Sequence, residues 1–188
     1  MIKNFVHVLE KIDLRKFIFS FPFIALLHEL EEWNILKWHL EYNTNVPSDV
    51  ADFHLRLALI LISLLIFLWT FISLISKNNK ITAIIIFPLI AMSLLNGFEH
   101  LIWLIEFGVY APGVVFGFFF EVPLLLYIVY RMLKEKIIAK WYVMLLGIIV
   151  TLGIIKLILL GNKLDPMIAG AMKLSKELSD LIWGWGRW

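Results

Sequence analysis

Five apolar runs, each about as long as a bilayer-crossing helix, leave this chain almost no other way to fold. A spanning helix needs about 20 predominantly apolar residues, and such runs cover residues 17–38, 53–76, 81–106, 113–134 and 141–161. Lipid offers no partner for a backbone N–H or C=O, so each run must close its own hydrogen bonds as a helix. The expectation is an all-α integral membrane helical bundle of about five transmembrane helices. Composition agrees, with 61% hydrophobic and 17% charged residues among 188, where soluble domains are about 45–50% apolar. The linkers are too short to house a soluble domain, so residues 1–188 read as a single membrane domain. Residues 1–16 mix apolar and charged positions as an interfacial segment does, and residues 17–161 form the bundle. Residues 162–188 read as an amphipathic tail, with Met167, Ile168, Met172, Leu178 and Ile182 on its apolar side and Trp183, Trp185 and Trp188 as an interfacial anchor.

A net charge of +2 makes no case for nucleic acid, and without cysteine there is neither a disulfide framework nor a thiolate site. A metal would have to be held by His, Asp, Glu or Asn. The polar start does not read as a cleavable signal peptide. Lys and Arg concentrate before the first run, between the second and third and between the fourth and fifth. The positive-inside rule then predicts a multi-pass protein of the cell membrane with a cytoplasmic N-terminus and the tail outside. The lipid bilayer is the predicted partner.

Against this background the stretch FIALLHELEEW (23–33) stands out, with His28, Glu29, Glu31 and Glu32 inside a run that should cross lipid. At about 1.5 Å per residue from residue 17, His28 falls roughly 16 Å in, near the midplane. Ionised groups at that depth cost several kcal/mol unless they face a bundle interior, pair or hold a cation. His28, Glu31 and Glu32 share one face by the i, i+3, i+4 rule, while Glu29 points aside and could pair with Lys37 as a rim group. The third run answers with LLNGFEH (94–100), where Asn96, Glu99 and His100 repeat the same spacing. Aligning the two stretches matches His28 with Asn96, Glu31 with Glu99 and Glu32 with His100. Such a parallel repeat predicts that the first and third helices pack along the faces carrying these residues.

Glu121, in GFFFEVP on the fourth run, falls at about the depth of His28, and Pro123 beside it removes the backbone bond to the carbonyl of Phe119. His39, Asp52 and His54 sit at helix ends and read as interfacial, solvated groups. The fifth run has only Lys156 near its end and reads as packing scaffold.

His28-x-x-Glu31-Glu32, Asn96-x-x-x-His100 and Pro112-Gly113 occur in order on successive helices, and together they resemble the motif set of the HXXEE-domain family of small membrane proteins. The resemblance covers about residues 20–160. Where the family continues Pro-Gly with small or hydroxylated residues, this chain has Val114, Val115 and Phe116. The family has no settled activity, so the resemblance points to a site without naming a substrate.

Carboxylates and imidazoles converging from facing helices are the ligand set of metal sites in bundles. Nitrogen and oxygen donors without sulfur suit Zn, Fe or Mn. The expectation is one or two divalent ions held by His28, Glu31, Glu32, Asn96, Glu99 and His100. Glu31, Glu32, His100 and Glu121 are the candidate catalytic groups of a hydrolase or oxidoreductase acting on a small hydrophobic or lipid substrate. Two alternatives use the same residues: a metal-free acid–base isomerase, and a proton- or cation-coupled transporter. No nucleotide loop, GxSxG elbow or HExxH motif is present, since Glu32 stands where HExxH needs its second histidine.

Overall fold

The structure, a computed structural model, describes residues 9–184. Residues 1–8 of the expected interfacial segment, and the side chains of the expected anchor Trp183, Trp185 and Trp188, lie outside the described residues. The helices are α1 (Leu14–Glu31), α2 (Ile35–Tyr42), α3 (Asp52–Ile75), α4 (Asn79–Phe107), α5 (Val122–Lys134), α6 (Lys140–Leu160) and α7 (Pro166–Gly184). A π-helical segment, Val114–Glu121, runs directly into α5. Among the described residues there is no strand, and the one isolated bridge joins Thr44 to Lys163. The chain is an all-α bundle.

Four stretches, Asp52–Ile75, Asn79–Phe107, Val114–Lys134 and Lys140–Leu160, are long and apolar enough to cross a membrane. α6 makes the point most clearly. It is apolar all round, yet only Tyr142, Leu146 and Leu157 along it are buried, and a helix of that kind requires an apolar solvent. α1 has 18 residues, with Arg15, Lys16, Glu29 and Glu31 among them, and it does not meet the same measure of length and hydropathy.

The expected first span, 17–38, is not one helix. α1 stops at Glu31, and Glu32 caps it with its N–H on the carbonyl of His28 at 3.2 Å. After a turn, α2 begins at Ile35, whose N–H reaches the carbonyl of Glu32 at 2.8 Å. Periodicity could not show this break, because Leu30, Trp33, Ile35 and Leu36 continue the apolar pattern across it.

One end of the bundle is tied by two arginines. Arg15 at the start of α1 donates to the carbonyls of Ser76 (2.9 Å) and Leu74, which the end of α3 leaves without intrahelical partners. Arg131 near the end of α5 donates to the carbonyls of Leu9 and Ile12, each at 3.0 Å, and pairs with Glu135 at 2.6 Å.

Burial divides into two apolar clusters. The larger includes Ile18, Phe21, Ala25, Ile86, Ile90, Leu94, Val122, Leu125 and Tyr142, drawn mainly from α1, α4, α5 and α6. The smaller joins Ile35, Leu36, Trp38, Leu55, Trp103, Ala111, Leu164 and Met172, where α2 and α7 meet the ends of α3 and α4. Residues 28–32 lie between Ala25 of the first cluster and Ile35 of the second, 96–100 between Leu94 and Trp103, and 113–121 between Ala111 and Val122. Three chain segments therefore carry their polar groups through the same boundary layer.

Two expected faces shift. In α7 the buried side is Met172, Ser175 and Ser179, while Met167 is exposed, and Ser175 donates to the carbonyl of His54 at the start of α3. His39, expected to be solvated, is 1% exposed, packed against Trp38 and Trp103 and bonded through Nδ1 to Asn43 Oδ1 at 2.7 Å.

Candidate metal centre

His28 is the hub of the boundary layer. From the last turn of α1 its Nδ1 meets Glu121 Oε2 at 2.8 Å, and its Nε2 meets Glu32 Oε1 at 2.9 Å and His100 Nε2 at 3.0 Å. His100 Nε2 in turn lies 2.6 Å from the same Glu32 oxygen. Asn96 Nδ2 stands at 3.5 Å from His28 Nε2, on the margin of the group. Among the described residues, His28, Glu32 and His100 are the set whose ligand atoms converge closely enough for one metal ion, and all three are buried.

The protons of this group are constrained by elementary valence. In the neutral tautomer whose Nδ1–H is directed at the Glu121 carboxylate, Nε2 of His28 is a lone pair. That lone pair then faces Glu32 Oε1 and His100 Nε2. Protons cannot turn all three contacts into good hydrogen bonds at once. Protonating both Nε2 atoms serves Glu32 but opposes two donors across 3.0 Å. A cation in the middle serves all three. Histidines that bind metals also characteristically donate their other ring N–H to a carboxylate, which is the relationship of His28 to Glu121. His100 differs, because its Nδ1 is buried with no hydrogen-bond partner among the described residues.

The approach of the third segment depends on glycine. Gly113 has φ +90°, a left-handed value that side chains rarely adopt, and a Cβ there would lie 2.7 Å from Glu32 Oε1 and 2.8 Å from His100 Nδ1. A Cβ on Gly117 would fall 2.8 Å from His28 Cε1. These two glycines let the π-helical backbone lie directly against both imidazoles. The segment is held in register by Glu31, a second carboxylate of the first cluster. Glu31 Oε1 accepts from the Val115 N–H at 3.1 Å and from the Tyr110 hydroxyl, and its Oε2 accepts from the Phe116 N–H at 2.8 Å. Burial and the Glu31 bond both raise the Tyr110 phenol above its ordinary pKa, which keeps it a donor.

The sequence-predicted residues therefore divide. The structure brings His28, Glu32, His100 and Glu121 into contact and sets Asn96 beside them. Glu31 is committed to the π-helical segment. Glu99 is buried on another side of α4, in the electrostatic range of Asp165, Lys156 and Glu32. Lys156, on the helix expected to serve as packing scaffold, pairs with buried Asp165 at 2.7 Å. Glu29, expected at a rim beside Lys37, is 7% exposed and makes no ion pair with it. The repeat also needs correction, because α1 and α4 do not pack along one extended seam: the π-helical segment packs on both, and His28 and His100 meet beside it. Gly117 is the site residue that sequence reasoning missed, and Gly113 stood there only as part of the Pro-Gly motif, without its close approach to Glu32 and His100. Their four-residue spacing beside Pro123 was the available signal.

The fold and the site thus define a helical membrane-type bundle with a buried His/Glu cluster. The family model described as a protein of unknown function with the HXXEE motif matches residues 19–128, and the chain belongs to that family. It is also similar to the uncharacterized protein YrkK of Bacillus subtilis (strain 168), at 28% identity over 155 residues, covering 80% of this chain and 98% of the relative. No solved structure gives a significant match.

Proposed function

We propose that His28 Nε2, Glu32 Oε1 and His100 Nε2 hold one divalent metal ion, and that the protein is a metal-dependent membrane enzyme acting on a small lipophilic substrate. The convergence of three ligand atoms at 2.6, 2.9 and 3.0 Å carries the reading. At metal–ligand bonds of about 2.1 Å, cis positions of an octahedron are about 3.0 Å apart and those of a tetrahedron about 3.4 Å. The spacing favours a facial two-His, one-carboxylate arrangement with open positions, which suits Fe or Mn better than Zn. One ion accounts for the contacts, because Glu31 and Glu99 are placed elsewhere.

A bound ion would supply Lewis acidity to a ligand in its open positions. The chain's own residues would do the rest. Glu121 fixes the His28 tautomer, the two glycines bring backbone against the ring pair, and the apolar clusters on either side exclude water. In a multi-pass cell-membrane orientation with the N-terminus cytoplasmic, the end tied by Arg15 and Arg131 faces inward and the metal lies nearer the outer side.

The test is a titration of chelator-stripped protein in detergent with Fe²⁺, Mn²⁺ and Zn²⁺. One equivalent per chain, lost in His100→Ala, supports the reading. A second reading rests on the chain Glu121, His28, Glu32, His100, whose contacts also suit a metal-free proton relay between carboxylates and imidazoles. Absence of any saturable metal binding would favour it.

A further inference from the structure

Three stretches of chain meet at the end of the bundle that Arg15 and Arg131 tie together. Arg15 bonds the start of α1 to the carbonyls that end α3, and Arg131 bonds the end of α5 to Leu9 and Ile12. The Tyr142 hydroxyl donates to the Ala83 carbonyl, which sets the start of α6 beside the start of α4. Residues 9–16, 76–80 and 131–140 therefore share one end surface. They hold nine lysines and arginines against three carboxylates.

Those three carboxylates are already engaged. Glu10 pairs with Lys134, Glu135 pairs with Arg131 at 2.6 Å, and Asp13 caps α1 through the Arg15 N–H at 2.9 Å. Lys11, Lys16, Lys77, Lys80, Lys136 and Lys140 are exposed, and among the described residues none of the six makes an ion pair. The opposite end is balanced. Residues 33–56, 104–113 and 156–180 hold six cations against seven carboxylates, and Lys156 and Lys176 are paired with Asp165 and Asp180.

α6 decides what lies against the charged end. It starts at Lys140, is apolar all round and buries only Tyr142, Leu146 and Leu157, so lipid surrounds it along its length. Where such a helix begins, its neighbours are lipid headgroups. Trp141, 64% exposed beside Lys140, and the exposed Tyr130 on α5 are the aromatic residues that favour that depth. A group of four to eight lysines and arginines next to a spanning segment attracts anionic headgroups, and this surface offers six that no protein carboxylate neutralises.

We propose that this end of the protein binds acidic phospholipids, with the six lysines as counter-ions to their phosphates and Trp141 and Tyr130 at the level of the headgroups. The metal takes no part, since none of these residues lies near its ligands.

The test compares spin-labelled phosphatidylglycerol with spin-labelled phosphatidylcholine around the protein in phosphatidylcholine vesicles, reading the motionally restricted fraction by electron spin resonance. Phosphatidylglycerol should associate about fivefold more strongly at low salt, as one lysine facing each headgroup provides. In 1 M NaCl the preference should shrink, because the Debye length falls to about 3 Å. Joint replacement of Lys77, Lys80, Lys136 and Lys140 by Gln should abolish most of it, and Lys37→Gln with Lys163→Gln and Lys173→Gln at the other end should leave it intact. The salt arm uses the parent protein and does not depend on how the variants fold. Inorganic phosphate should act no differently from chloride at the same ionic strength; displacement of the lipid by phosphate at lower ionic strength would mark a site for a soluble anion and overturn the proposal. Equal association of the two lipids, or a preference that survives the fourfold replacement, would overturn it as well.

Discussion

Glu32 Oε1 lies 2.6 Å from His100 Nε2 and 2.9 Å from His28 Nε2, so one carboxylate oxygen on the break between α1 and α2 joins two histidines from different helices. Truncating one member of such a buried pair leaves the other uncompensated, at about 3–5 kcal/mol, whereas replacing both by apolar groups can be close to neutral. Glu32→Leu and His100→Leu should each lower the thermal midpoint in detergent more than the double variant does. Simple addition of the two single losses would show that the pair is not coupled.

If His28 holds a metal as proposed, Glu121 would act on it through the imidazole. Loss of such an orienting carboxylate typically costs about 10–100-fold in metal affinity, and Glu121→Gln should fall in that range while the protein still binds one equivalent. Competition against a chromophoric chelator measures it. An unchanged affinity would mean that the 2.8 Å contact only fills the interior.

Glu31 and Gly113 position the π-helical segment. Glu31→Gln keeps one acceptor oxygen and loses the other, so it should weaken metal binding without changing the stoichiometry. Gly113→Ala should do more, because a residue with a side chain held at positive φ costs about 1–3 kcal/mol and its Cβ would press on Glu32 and His100. Ala at Gly147, which meets nothing within 4 Å, is the control. Equal behaviour of the two alanine variants would contradict the close approach.

The orientation is open to a direct chemical test, because the chain has no cysteine. Single cysteines at the exposed positions Lys77 and Lys163 lie at loops expected on opposite sides. An impermeant thiol reagent added to intact cells should label the variant at 163 and spare the one at 77. The reverse pattern would invert the topology.

Much of this was readable before any coordinates. Four of the apolar runs became the four span-length helices, because lipid compatibility demands long uninterrupted patterns. The cost of charge in lipid singled out residues 28–32 and 96–100. What the sequence hid was local backbone geometry. The break at Glu32 sends Glu31 to the π-helical segment and Glu32 to His100, although both lie on one face of an ideal helix. The π-helical segment was equally hidden, because Val122 bonds to the Gly117 carbonyl across five residues and hydrophobic periodicity does not register a wider turn. The apparent repeat failed for the same reason: Glu31 and Glu99 occupy matching positions but meet different neighbours.

The most direct measurement is elemental analysis of the protein purified in detergent without added metal, beside the His28→Ala, Glu32→Ala and His100→Ala variants. Close to one Fe, Mn or Zn per chain in the parent protein, and a large loss in each variant, is the predicted result. A metal-free parent that also fails to take up any of the three ions would contradict the metal centre, and so would variants that retain the parent's metal content.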